Sequence, residues 1–243
     1  MTLRDAWEDN ARDYVAWTRT PGADSYERFH RDQFLPLLPA PRRLTVDIGC
    51  GEGRLARDLK ARGHRVVGID GSPTLIAHAR AADPEIEFHL ADAAALPLDA
   101  AVADLAVAFL SLQDMDRMPR AIAEVARVLA AGGRFCFAIV HPVRSAGRFA
   151  GRAPDSRFEI VGSYLEPFRF VDPLVREGVA VDTHSEHRPL AAYFAALEDA
   201  GMLVEGVREP PIPEHAIARE ADRRWLRLPL FLHVRAQVPG GGV

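Results

Sequence analysis

The chain has 243 residues, 48% of them hydrophobic and 26% charged, a balance that excludes disordered, collagen-like and coiled-coil classes and allows one large domain or one domain with an insertion. Its 30 basic and 34 acidic residues leave a formal charge of -4, so no overall field favours nucleic acid or an anionic membrane as a partner. Cys50 and Cys136 are too few for a disulfide framework, and an N-terminus with acids but no apolar signal core points to a cytoplasmic protein, neither exported nor membrane-spanning.

Leu3, Trp7, Tyr14 and Trp17 fall within an arc of about 80° on a helical wheel, which predicts one amphipathic N-terminal helix. A second helical stretch over 23–38 uses Tyr26, Phe29, His30 and Leu37, and Pro36, Pro39 and Pro41 close it. From Arg43 onward, short apolar runs alternate with helical periodicity: LTVDIG, GRLARDLKARG, RVVGID, SPTLIAHARAA, IEFHLA, VADLAVAFLSL, DRMPRAIAEVARVLAAGG and RFCFAIV. The alternation predicts βαβ units with five parallel strands, and near-continuous apolar strands are what a sheet covered on both faces requires. The pattern breaks at His141-Pro142. Residues 143–187, rich in Arg, Phe, Gly and Pro, predict an insertion with two or three short β segments. A helix (RPLAAYFAALEDAG), a strand (MLVEGVRE), a loop containing PPIP and a last strand (LPLFLHVRAQV) follow, and the PGGGV tail is expected to fray.

The stretch Val46-Asp47-Ile48-Gly49-Cys50-Gly51-Glu52-Gly53-Arg54 joins the first strand to the first crossover helix. Glycines at alternate positions let the backbone turn tightly and approach a nucleotide-type ligand beside free helix N–H groups. A dinucleotide fingerprint needs glycine where Arg54 stands, so the NAD reading fails on spacing. Asp70 ends the second strand, where a carboxylate can accept from both hydroxyls of a ribose, and Asp92 follows the third, where it can face an adenine amino group.

On the motifs VDIGCGEG, VVGID, ADAAALPL, ADLAVAFLSLQDM and RVLAAGGRF the chain resembles the class I S-adenosylmethionine-dependent methyltransferases, in particular the subgroup acting on small molecules. The resemblance is strong over about residues 43–141 and implies a Rossmann-like, seven-stranded mixed sheet, last strand antiparallel, with helices on both faces. It divides the chain into an N-terminal helical lid (1–41), a cofactor-binding core (42–142 and 188–238) and a β-containing cap inserted at 143–187. Carried over by residue, Asp47, Gly49, Cys50, Gly51 and Gly53 form the turn under the cofactor's methionine part, Asp70 with Gly71 holds the ribose, and Asp92 with Ala93 reads the adenine. Phe109 offers its carbonyl to the cofactor's amino group, and Tyr14 offers a hydroxyl to its carboxylate. The product would be S-adenosylhomocysteine. The Asp/Asn-Pro-Pro-Tyr turn of DNA amino-methyltransferases is replaced here by Phe109-Leu110-Ser111-Leu112, and the double-glutamate loop of protein arginine methyltransferases is missing, which leaves a small organic acceptor.

Transfer from a sulfonium is an in-line displacement that needs alignment and exclusion of water; an acceptor that must lose a proton also needs a base. His141, at the end of the fifth strand, is the first candidate for that base, and His184 and His187 are the second. No third ligand accompanies the latter two, so no metal is expected. The aromatics Phe149, Phe158, Tyr164, Phe168 and Phe170 of the insertion suit either the wall of an acceptor pocket or a homodimer contact. A rival function on the same cofactor site is a non-methylating protein that guides an isomerisation or cyclisation.

Overall fold

Apolar runs that are buried along their whole length build the centre of the molecule. In the computed structural model, which describes residues 1–240, β1 (Thr45–Ile48) is buried at all four positions and β4 (Ala103–Phe109) at five of seven. They lie beside β2 (Val66–Asp70), β3 (Glu87–Leu90) and β5 (Leu129–Val140), all parallel, in the order β3-β2-β1-β4-β5. The sheet continues through β11 (Phe231–Gln237), antiparallel to β5, to the edge strand β10 (Leu203–Arg208). This is the seven-stranded mixed sheet expected from the sequence.

Alternate residues of each strand feed two cores. Phe135, Phe137 and Ile139 of β5 pack with Ile122 and Val125 of α6 (Met118–Val128) and with Tyr193 and Leu197 of α8 (Leu190–Asp199). On the other face, Cys136 and Ala138 join Leu55 and Leu59 of α4 (Arg54–Ala61) and Ile76 of α5 (Pro73–Ala82). Each buried Leu or Ile contributes about 1.5–3 kcal/mol, so the pairing of strand alternation with helix faces fixes the register.

Three local features differ from expectation. The single N-terminal helix is two, α1 (Leu3–Asp9) and α2 (Ala11–Arg19), broken at Asn10, whose side-chain amide shares the Ala6 carbonyl, at 2.9 Å, with its own backbone N–H at 3.2 Å. The second helical stretch is irregular: a π turn (Tyr26–His30), α3 (Arg31–Phe34) and a 3-10 turn (Leu35–Leu37) ended by its prolines. The insertion carries more β structure than predicted. After α7 (Pro142–Ala146) come the hairpin β6 (Gly147–Phe149) and β7 (Phe158–Ile160), then a second hairpin of two nine-residue strands, β8 (Phe168–Arg176) and β9 (Val179–His187). The frayed tail was expected over 239–243, of which 241–243 lie outside the described residues. Among the described residues no helix is long and apolar enough to cross a membrane.

Candidate active site

Gly49 turns the chain at the end of β1 with φ +70°, and a Cβ there would stand 2.4 Å from the Ser111 Cβ, so the close approach of two strand ends requires glycine. The Ser111 hydroxyl donates to the Ile48 carbonyl at 2.6 Å, which ties the loop after β4 to the glycine turn. Gly53 serves packing: a Cβ would meet Phe88 at 2.9 Å.

A cleft of about 400 Å³ opens over these strand ends. Of the residues expected to hold the cofactor, Tyr14, Gly49, Gly51, Asp70, Gly71, Asp92, Ala93 and Phe109 line it. Asp47, Cys50 and Gly53 do not. Asp47 is buried within β1, where burial and the nearby Asp70 push its carboxyl up to about 8, and Cys50 is buried beside Gly68. Asp47 belongs to β1, whereas Cys50 and Gly53 lie in the turn after it, Gly53 at φ +83° where α4 begins.

Asp70 accepts from the Gly51 N–H at 2.8 Å and the Ser72 N–H at 2.9 Å, one on each oxygen. A carboxylate has about four lone-pair sites, so two remain for ligand donors. Burial pushes its pKa up, while the backbone N–H groups work against that shift. Asp92 accepts from the Ala94 N–H at 2.8 Å and from Arg117 at 2.6 Å. Arg117 and Arg4 are lining residues with no signal in the sequence, and Trp7, legible only as part of the N-terminal apolar stripe, lines the cleft as well. The N-terminal helices roof the cleft: the Trp7 indole donates to the His184 carbonyl at 2.9 Å, and Glu8 accepts from the Thr74 hydroxyl at 2.6 Å.

Beyond the roof lies a second chamber of about 530 Å³, formed by the β8–β9 hairpin, α2, the π turn and the loop before β11. Trp7, Tyr14, Leu110 and Asp114 line both cavities and form the boundary between them. Leu110 sits there at φ +54°, an uncommon conformation for a leucine, held by its N–H to the Ala138 carbonyl at 2.8 Å. Asp114 accepts from the Ser185 hydroxyl at 2.6 Å, and burial pushes its carboxyl well above the usual range.

The three histidines offered by the sequence as bases stand outside both cavities. His141 caps α7 through Nδ1, which accepts from the Val143 N–H at 3.1 Å, and its Nε2 meets Glu209 at 2.9 Å; burial lowers its pKa against the pull of that glutamate. His184 lies on the strand face opposite Ser185 and contacts the Asn10 amide at 3.1 Å. His187 is buried between the Ser145 hydroxyl at 2.7 Å and the Tyr164 carbonyl at 2.9 Å. Both ring nitrogens of His141 and of His187 thus have partners within the protein. Of the cap aromatics only Phe170 reaches the chamber; Phe149 and Phe158 pack edge-on with Trp225.

A glycine turn and two acids at successive ends of parallel strands, with an antiparallel last pair, define a nucleoside-binding fold of the methyltransferase class. The methyltransferase domain family matches residues 46–137. The chain is 35% identical over 123 residues to a malonyl-[acyl-carrier protein] O-methyltransferase of Pectobacterium atrosepticum, covering 48% of this chain and 49% of that protein, so it spans about half the length of that relative. It is 29% identical over 220 residues to a trans-aconitate 2-methyltransferase of Methylobacterium radiotolerans, covering 78% of this chain and 82% of the relative. A crystal structure of an S-adenosylmethionine-dependent methyltransferase from Mesorhizobium loti superposes with a TM-score of 0.69 at 29% identity, covering 85% of this chain and 96% of that one. Residues 46–137 thus form a methyltransferase domain, and the chain is similar in sequence and fold to class I S-adenosylmethionine-dependent methyltransferases. The cofactor of this family is S-adenosylmethionine, and the cleft fits it: an acid with free lone pairs ends β2, and the turn leaves no room for a Cβ at Gly49.

Proposed function

We propose that this protein transfers a methyl group from S-adenosylmethionine to a small organic acceptor seated in the second chamber. The observation that carries the reading is the shared wall of Trp7, Tyr14, Leu110 and Asp114, which lets a cofactor in one cavity and an acceptor in the other meet at their common boundary. The bound cofactor supplies a methyl group on a sulfonium, open to in-line displacement. Asp70 holds the ribose, Asp92 and Ala93 face the adenine after Arg117 yields, and Gly49 and Gly51 admit the methionine part. Tyr14 closes that boundary from above, and the N-terminal helices act as a lid that keeps water out. Asp114 takes the role first given to the histidines: a buried carboxyl with a raised pKa is a stronger base than an exposed one, and its hydrogen bond from Ser185 fixes its direction.

Two similar proteins are named for methylation of malonyl-[acyl-carrier protein] and of trans-aconitate. One core thus serves different acceptors, and the acceptor must be argued from the chamber. The test is calorimetry with S-adenosylhomocysteine, followed by its release from S-adenosylmethionine across a panel of small acceptors. Binding at micromolar affinity with acceptor-dependent release is expected. No heat with either compound, beside clear heat with NAD, would overturn the cofactor assignment; binding without release for any acceptor would favour the isomerisation or cyclisation alternative.

A further inference from the structure

The second chamber is cationic inside an acidic protein. Five arginines line it, and two of them are neutralised locally: Arg54 pairs with Asp24, and Arg144 with Asp172. Among the described residues, Arg28, Arg176 and Arg224 have no carboxylate within 4.0 Å. Arg28 donates to the Ala216 carbonyl, and Arg224 donates to the Gly151 carbonyl at 3.0 Å while its buried Nε has no partner. Against these three stand Asp222 and Asp114, the remaining acids of the wall. The Arg28 pKa is lowered, first by burial and then by the neighbouring Arg176 guanidinium, against the weaker pull of Asp222 and Glu177. Two like charges held together in a partly buried wall cost free energy until an anion lies between them.

The hairpin register places this charge. Ser185, which holds Asp114 at the boundary between the cavities, pairs with Phe170, and Arg176 lies six residues further along β8, opposite Val179. At about 3.3 Å per residue the strand runs roughly 20 Å from that boundary to Arg176. Between them Phe170, Leu174, Val181 and Trp17 supply an apolar wall.

Resting on the methyltransferase reading above, we propose that the chamber takes elongated acceptors with an apolar body and one terminal oxyanion, a carboxylate or a phosphate monoester, held by Arg28 and Arg176 at the end remote from the methyl-accepting atom. The guanidinium fork matches either group bidentately.

The test is calorimetric titration of the full chain, saturated with S-adenosylhomocysteine, by decanoate, decyl phosphate and decanamide. At least one anion should bind about tenfold or more tightly than the amide, and comparing the two anions identifies the group. Arg28→Gln and Arg176→Gln should each bring the anion-to-amide ratio to within about threefold, with the affinity for S-adenosylhomocysteine unchanged because neither residue lines the cofactor cleft. Equal binding of amide and anions by the wild type, binding of none of the three, or a preference that survives in the variants would overturn the proposal. If Arg28→Gln fails to fold without its bond to Ala216, Arg176→Gln alone decides. A wild type that does not bind S-adenosylhomocysteine removes the methyltransferase reading itself, whereas cofactor binding without anion preference removes only the anion site.

Discussion

Replacing Asp70 by Asn separates what the carboxylate does for the fold from what it does for the ligand. In the free protein its oxygens accept from the N–H groups of Gly51 and Ser72 at 2.8 and 2.9 Å. An amide can keep one of these bonds; its NH2 then faces the other N–H, at a cost of about 1–3 kcal/mol. In the opposite direction, burial already disfavours the charged form and pushes its pKa up, so a neutral side chain escapes that penalty. The two effects offset, and the stability of the free protein should change by less than about 2 kcal/mol. No such offset exists for the ligand. A ribose hydroxyl loses a charged acceptor, worth about 1.5–3 kcal/mol, or roughly ten- to a hundredfold in dissociation constant. Calorimetry with S-adenosylhomocysteine on wild type and Asp70→Asn, with thermal melting as the control for folding, measures both quantities. Because the ionised form is the acceptor, wild-type affinity should also fall as pH is lowered through the raised pKa, whereas the Asn variant should lack that component. An unchanged dissociation constant in a variant that melts like wild type would refute the assignment of Asp70 to the ribose.

Gly49→Ala combines a left-handed backbone, about 1–2 kcal/mol, with a Cβ 2.4 Å from Ser111, about 1–3 kcal/mol more; Gly162→Ala, at φ +76° with nothing within 4 Å, should cost only the first part in urea denaturation. Equal losses at the two positions would show that the loop after β4 yields freely. The buried pair His30 and His233, with Nε2 atoms 2.7 Å apart, predicts acid sensitivity. Burial lowers both pKa values, that of His233 to about 4, so the unfolded state binds more protons below the ordinary value of 6.5 and stability is lost as pH falls. His233 alone should remove about 3 kcal/mol between pH 7 and pH 4, and the double replacement His30→Leu, His233→Leu should flatten that dependence; an unaltered slope would place the acid sensitivity in other groups.

Local pattern was enough for the sheet and for much of the lining of the cleft above its strand ends. Strand and helix periods differ, so the alternation from Arg43 to Val140 identified the parallel core, and burial on both faces of β1 and β4 is the physical cause of their unbroken apolar runs. Gly49, Gly51 and Asp70 were legible because a sharp turn and a strand-end carboxylate are set by residues adjacent in the chain. The choice of acceptor-side groups was not. His141 has the chemistry of a base, but Glu209, 68 residues away, and the Val143 N–H occupy its ring nitrogens, and no local feature encodes that meeting. His184 and Ser185 are neighbours in sequence, yet strand alternation turns only Ser185 toward Asp114. That alternation could be applied only once the insertion was known to hold two nine-residue strands, whose exposed, mixed sequence gave no clean period. Asp114 looked like any loop acid until the hairpin, α2 and β4 closed around it. The sequence by itself determined the cleft over the strand ends, where neighbours in the chain are neighbours in space; the tertiary structure decided the second chamber, because its wall is assembled from segments more than a hundred residues apart, such as Arg28 and Arg176, which folding alone brings to one cavity.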